Sequence, residues 1–261
     1  MQTKKTHLLI IDPQNDFCEP DGSLYVPGAN KDMERISKFI IDNNDNIDFI
    51  HVTLDSHNLI DIAHPIFWIN EDGNFPDPFS IISVDDVMNG VWTTTNPNWK
   101  QRALSYVQAL AVNGRYPLCI WPPHCLIGSF GHAIANPIQE ALIVWQSKNM
   151  KPINFISKGS NIFTEHYSAI KADVVDPLDR STDKNSELLN QLNYADEIIV
   201  AGEALSHCVA NTVIDIVEHE ESTAKKIVLL SNATSSVPGF EELGDKFISD
   251  MVAKGMTTRE V

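Results

Sequence analysis

Three side chains of complementary chemistry stand at the ends of three apolar runs: Cys208, Asp12 and Lys158. Cys208 closes Gly202-Glu203-Ala204-Leu205-Ser206-His207-Cys208, after the apolar run Ile198-Ile199-Val200 and before a stretch with helical apolar faces, Val209 to Val217. A thiol at such a strand-to-helix turn lies over the carboxyl end of a sheet, where open α/β folds bind ligands. The helix amino terminus would favour its thiolate. Asp12 follows His7-Leu8-Leu9-Ile10-Ile11, and a carboxylate there can take the thiol proton and return it to a leaving amine. Lys158 follows Ile153-Asn154-Phe155-Ile156-Ser157, and a cation beside a thiol lowers its pKa. Each has a bland alternative. A lone cysteine is usually a small buried hydrophobe, Asp-Pro often just opens a turn, and strand-end lysines are mostly solvated. An acid, a cation and a thiol at three strand ends make a more specific pattern.

The surrounding motifs sharpen it. Asp12-Pro13-Gln14-Asn15-Asp16-Phe17, Lys158-Gly159 with Tyr167-Ser168 behind it, and Gly202-Glu203-Ala204 ahead of Cys208 resemble the nicotinamidase/isochorismatase-like cysteine hydrolases, in the same order and over most of the chain. Trp121-Pro122-Pro123-His124-Cys125, followed by Gly128-Ser129, resembles the nicotinamidase/pyrazinamidase branch in particular. The resemblance implies a catalytic triad of Asp12, Lys158 and Cys208. It also implies a cis peptide bond between Glu203 and Ala204, and an oxyanion hole formed by the backbone amides of Ala204 and Cys208.

Metal-ligand spacing agrees. Asp55-Ser56-His57 follows the run Phe49-Ile50-His51-Val52-Thr53-Leu54, and residues two apart in extended chain point the same way. His124 would add a third ligand, and His64 is a further candidate. One carboxylate and two imidazoles suit zinc, with iron or manganese also accommodated. His51, inside the run, reads as a hydrogen-bonded buried imidazole and not as a ligand. By the resemblance, the ion holds a pyridine ring nitrogen. Phe17 and Trp121 would flank that ring, a use suited to rigid aromatic walls.

The elements that must position these residues alternate between strand and helix. Strands are predicted near 7–12, 47–54, 117–121, 152–157, 196–202 and 225–230, and helices near 30–43, 99–113, 132–149, 185–193, 207–220 and 240–254. The pattern predicts a doubly wound α/β fold: a mainly parallel six-stranded sheet with helices on both faces. With no repeat or composition break, residues 1–261 read as a single domain. Net charge of −16 argues against nucleic-acid phosphates as partners. No apolar run approaches the roughly 18 residues that span a bilayer, and no signal-peptide segment is recognised. Four cysteines without paired spacing fit a reducing cytosol. A cytoplasmic homo-oligomer acting on a small molecule is therefore expected.

Departures from the family pattern bear on substrate more than on chemistry. Ser206 stands where the family usually has Asp, and Glu203 replaces a small aliphatic residue. A carboxylate facing the thiol would raise its pKa, so Glu203 is expected to point away or to meet a donor. An insertion at about 69–115 separates His64 from His124; such segments are lids, binding loops or subunit contacts. Its tryptophans, with Trp68 just before it, then Trp92 and Trp99, should include one that covers the site or a subunit contact. The sequence thus predicts a metal-assisted amidohydrolase releasing ammonia from a small carboxamide, nicotinamide to nicotinate being the leading candidate. Rival readings are a different amide selected by the insertion, an isochorismatase-type hydrolase and, last, a non-catalytic binding module.

Overall fold

The computed structural model describes residues 4–113 and 115–261. Six segments form one sheet: β1 Thr6–Ile11, β2 Phe49–Asp55, β3 Asn154–Lys158, β4 Glu197–Gly202, β5 Ile227–Leu230 and β6 Thr257–Arg259. Their order is β6-β5-β4-β1-β2-β3, and every neighbouring pair is parallel. β1 is central and buried along its whole length, with Leu8, Leu9, Ile10 and Ile11 all at 0% exposure. Continuous burial is what a parallel strand covered on both faces requires.

Six longer helices surround the sheet: α1 Ala29–Asp42, α2 Lys100–Asn113, α3 Asn136–Asn149, α4 Ser186–Asn193, α5 Ala210–His219 and α6 Glu241–Ala253. α1 packs along α3, and α5 contacts α6. The chain runs from β1 outward through β2 to β3, then returns to the other side of β1 as β4. That reversal leaves a crevice at the carboxyl ends of β1 and β4, the position where doubly wound sheets bind ligands. Gly202 ends β4 in a left-handed conformation with φ of 112°. A Cβ there would meet the Ile11 carbonyl oxygen at 2.1 Å, so the close approach of β1 and β4 depends on glycine.

Two expectations need correction. The segment near 117–121 does not join the main sheet; Leu118–Cys119 pairs antiparallel with Ile81–Ile82. Pro117 and the pair Pro122-Pro123 bound it and remove donors that a central strand would need. The sixth strand is instead β6, whose three polar residues are all exposed and carry no apolar signal. The helix predicted from 132 begins at Asn136 because the residues before it are already engaged: Asn15 N–H donates to the Ala133 carbonyl, and Gln14 bridges to Ile134.

The insertion is ordered by packing. Trp68–Ile69 pairs with Thr93–Thr94, and a short helix, Val84–Met88, carries a Ser83/Asp86 capping box. Trp68 is fully buried and its indole N–H donates to the Ile62 carbonyl at 2.7 Å. Trp99 stacks on Phe67, with ring centroids 5.3 Å apart. The tryptophans therefore anchor the insertion to the core, Trp92 being half-buried against it, and none of the three lines the crevice at Cys208.

Because Leu9 is enclosed between β2 and β4, Leu9→Ala is expected to lower unfolding free energy by about 2–5 kcal/mol. Urea unfolding checks this; a loss under about 1 kcal/mol would mean that the centre of the sheet relaxes around the cavity.

Candidate active site

Four strand ends converge. Asp12 follows β1, Asp55 ends β2, Lys158 ends β3, and the chain leaving β4 reaches Cys208 six residues after Gly202. The register pairs Asp55 directly with Lys158. Lys158 Nζ lies 2.9 Å from Asp12 Oδ2, 3.1 Å from Asp55 Oδ1 and 3.6 Å from Cys208 Sγ. The structure thus brings together the three residues singled out as acid, cation and thiol. Asp12 is further fixed by Thr53, whose hydroxyl donates to Asp12 Oδ1 at 2.5 Å and accepts the Asp12 N–H at 2.9 Å.

Electrostatics here follow from burial. Burial works against the Lys158 ammonium, yet the carboxylates of Asp12 and Asp55 outweigh it and hold its pKa well above the usual value. Burial raises the Asp12 pKa, with Lys158 opposing. The same desolvation pushes the Cys208 thiol well above its ordinary range, although Lys158 pulls it down. Burial thus opposes the thiolate that the sequence leads one to expect, and Lys158 supports it. Cys208 sits in a wide turn, Leu205–Val209, ahead of α5, and its residue is only 6% exposed. Cys208 therefore stands beside the Asp12–Lys158 pair with its thiol form favoured by burial.

The peptide bond between Glu203 and Ala204 is cis, as the resemblance implied. The Glu203 side chain points away from the thiol: Oε2 accepts the Ser235 N–H at 3.0 Å, and burial, reinforced by Asp32, raises its pKa well above the usual carboxylate range. The substituted Ser206 accepts the Val237 N–H at 3.1 Å and bonds His207 Nδ1 at 2.9 Å.

On the other side of Lys158, Asp55, His57 and His124 place their ligand atoms within 4.8 Å of one another. Asp55 Oδ2 lies 3.1 Å from His57 Nε2 and 3.5 Å from His124 Nε2. Each imidazole is oriented from behind: His57 Nδ1 bonds Asp61 Oδ2 at 3.0 Å, and His124 Nδ1 donates to the Pro122 carbonyl at 2.9 Å. This is the outer-shell arrangement that aims a metal-binding histidine. His57 Nε2 is buried without a hydrogen-bond partner, so the residues fit a divalent ion. Burial disfavours a charged His57, but Asp55 and Asp61 hold its pKa well above the usual value, a sign of how strongly the site attracts a cation. Gly159 completes the cradle, because a Cβ there would come within 2.8 Å of Asp55 Oδ1.

His64 stands beside this set without joining it. Its ring lies 5.2 Å from that of His57, its Nδ1 bonds the Leu59 carbonyl at 3.1 Å, and its Nε2 has no partner. His51 is, as expected, a buried hydrogen-bonded imidazole remote from the site. The Asp12–Phe17 motif acts as a fastening. Gln14 clamps the backbone of Asp55, donating to its carbonyl and accepting its N–H, both at 2.7 Å. Asp16 Oδ2 accepts the Cys125 N–H at 2.6 Å, tying the His124 loop to β1.

Phe17, Trp121, His124, Asp55, Ala204 and Cys208 line one narrow pocket of about 30 Å³. Sequence reasoning missed several of its other walls, among them Glu165, Tyr167 and His207. Burial pushes the Glu165 pKa up to about 8, with His57 opposing. Tyr167 accepts the Trp121 indole N–H at 3.0 Å. The insertion reaches this wall through Phe79, edge-on to Trp121 with centroids 5.8 Å apart, and through Tyr106, whose hydroxyl accepts the Glu165 N–H at 3.1 Å.

No family model matches the chain. A curated relative does: the nicotinamidase of Saccharomyces cerevisiae is 27% identical over 213 residues, 81% of each protein. The chain is thus similar to a nicotinamidase over most of its length. Solved structures agree in fold. The yeast nicotinamidase superposes with a TM-score of 0.68 at 21% identity, over 98% of this chain and 100% of that one. A pyrazinamidase of Pyrococcus horikoshii, solved in complex with zinc, gives 0.59 at 17% identity over 98% and 99%.

The geometry sets two expected outcomes. Elemental analysis of the purified protein should find about one divalent ion per chain; His57→Ala or His124→Ala should lose it, Asp61→Ala should bind it roughly 10–100-fold more weakly, and His64→Ala should retain it. Full occupancy in His124→Ala would exclude this ligand set. For the thiol, a pKa raised by burial means that thiolate is scarce at neutral pH. Iodoacetamide labelling of Cys208, followed by mass spectrometry, should therefore accelerate about tenfold per pH unit from 7 to 9, and a rate flat across that range would show a thiolate already formed.

Proposed function

We propose that the chain is a metal-assisted cysteine amidohydrolase that converts nicotinamide to nicotinate and ammonia. The observation that carries this reading is the contact of Lys158 with Asp12, Asp55 and Cys208 in a pocket that also holds the Asp55–His57–His124 cluster. The similarity to a yeast nicotinamidase supports nicotinamide as the substrate.

Cys208 is the nucleophile. As its sulfur attacks the amide carbonyl, Asp12 takes the thiol proton, which it can do only because Lys158 stabilises the carboxylate. A thiol form favoured by burial suits this order, since deprotonation accompanies bond formation instead of preceding it. The backbone N–H groups of Ala204 and Cys208 receive the developing oxyanion. Asp12 then returns its proton to the leaving nitrogen, ammonia departs, and water hydrolyses the thioester to release the acid and restore the thiol. Asp55, His57 and His124 would hold a divalent ion, which would supply a Lewis-acidic contact for the substrate ring. We take it to be zinc, with iron and manganese accepted by the same donors. Phe17 and Trp121 hold the ring from its faces.

A different amide is the second reading, favoured by the reach of Phe79 and Tyr106 from the insertion to the pocket wall. Residues 1–261 are read as one domain carrying this insertion, working as a homo-oligomer in the cytoplasm. No helix among the described residues is long and apolar enough to cross a membrane.

Ammonia release from a carboxamide panel containing nicotinamide and pyrazinamide tests the proposal. Nicotinamide should be the best substrate, and Cys208→Ala should abolish release while its circular dichroism stays native. Cys125→Ala should keep substantial activity, because Cys125 is buried behind the His124 loop and touches the Gly131 carbonyl, not the pocket. Equal loss in both folded variants would overturn the assignment of the nucleophile. Preference for another amide would leave the chemistry standing and transfer the substrate to the second reading.

A further inference from the structure

Behind the crevice, two buried carboxyl groups meet. Glu203 is fully buried, and Asp32, in the first turn of α1, is 3% exposed. Their side chains are in hydrogen-bond contact. Asp32 also accepts the Ser235 hydroxyl at 2.5 Å on Oδ2 and Arg35 Nη1 at 2.9 Å on Oδ1. Glu203 Oε2 accepts the Ser235 N–H at 3.0 Å, whereas its buried Oε1 accepts no donor among the described residues. Two carboxyl groups can bond to each other only through a proton that one of them holds. Asp32 has a guanidinium and a hydroxyl aimed at it, which makes it the better anion, so the proton falls to Glu203. Burial, reinforced by Asp32, pushes the Glu203 pKa in the same direction.

Ser235 is the hub of this cluster. Its N–H meets the Glu203 side chain, and its carbonyl accepts the Leu205 N–H at 2.8 Å. Both neighbours of Ala204 are therefore fastened to one residue. The Glu203 N–H in turn donates to the Ile11 carbonyl at 2.8 Å, at the end of β1. The Ala204 N–H belongs to the peptide unit it shares with Glu203, so its aim follows from how these flanking residues are held. Ala204 lines the pocket, whereas Asp32, Glu203 and Ser235 do not. The small aliphatic residue that the family pattern has at 203 could make neither the bond to Asp32 nor the bond to Ser235.

We propose that Glu203, as a neutral acid donating to Asp32 and accepting from Ser235, is a positioning residue that aims the Ala204 amide at the developing oxyanion. This inference rests on the amidohydrolase reading given above. An interaction that strengthens only in the transition state acts on kcat and leaves KM nearly alone. Small displacements of such a donor are costly, because its effect depends on a fixed geometry.

Three variants test this in ammonia release from nicotinamide. Glu203→Gln can still donate to Asp32 and accept from Ser235, so it should keep kcat within about threefold. Glu203→Leu can do neither, and should lower kcat at least about tenfold with KM changed less than about threefold. Asp32→Ala removes the acceptor from a helix outside the pocket and should lower kcat at least about threefold. It decides the question if Glu203→Leu does not fold. Alkylation of Cys208 by iodoacetamide forms no oxyanion, so its rate should stay within about twofold of the parent in all three.

The positioning role is overturned if Glu203→Leu or Asp32→Ala keeps the parent kcat. It is overturned equally if Glu203→Gln loses as much as Glu203→Leu, or if alkylation slows in step with kcat. A parent protein that releases ammonia from no carboxamide refutes the reading of function instead. Hydrogen exchange then decides the clamp by itself: Glu203→Leu should speed exchange at the Leu205 and Ser235 amides at least about tenfold, and Glu203→Gln should not.

Discussion

A single buried ammonium organises this protein. Lys158 touches the two carboxylates of Asp12 and Asp55 and the thiol of Cys208, and it is 3% exposed. A charge that deep is tolerable only when paired and hydrogen-bonded, and removing a partner leaves an uncompensated ion. Each partner comes from a different strand, so β1, β2, β3 and the turn after β4 must all keep register for the lysine to be satisfied. The parallel pairing that sets Asp55 opposite Lys158 is thus as much a part of the site as the side chains.

Lys158 also joins two chemistries that could otherwise work separately. On one side are the thiol and the acid that would move its proton; on the other are the donors that fit a divalent ion. Asp55 belongs to both, sharing one oxygen with the lysine and the other with the imidazoles. Although burial would raise its pKa, His57 and Lys158 hold it well below the usual value, so it stays an anion between them. Gln14 then fixes the Asp55 backbone, and Thr53 fixes Asp12. The first strand and its neighbour are stitched together at the point where both carboxylates leave the sheet.

Much of this is readable from the sequence, and what is not has physical reasons. Cys208, Asp12 and Lys158 declare themselves because each follows an apolar run, and strand ends share one edge of a parallel sheet. Asp55 and His57 declare themselves by their spacing. Asp61, Thr53, Glu165 and Tyr106 do not: they are common residue types, and only tertiary packing shows that one supports an imidazole and others a carboxylate or the pocket wall. β6 is hidden because an exposed polar edge carries no apolar signal. The pull of burial on the thiol is hidden for a related reason. Burial is a property of the assembled crevice, and it outweighs a cation that the sequence shows plainly.

The insertion has a consequence that reaches beyond this molecule. The candidate reacting groups stand on the floor of the crevice, whereas part of the wall, through Phe79 and Tyr106, is borrowed from a stretch fastened elsewhere by packed tryptophans. Changes in that stretch can reshape what fits without disturbing the lysine or its partners. In a lineage of such proteins, selectivity and reactivity are then free to drift at different speeds, the first in a peripheral segment and the second held by the sheet.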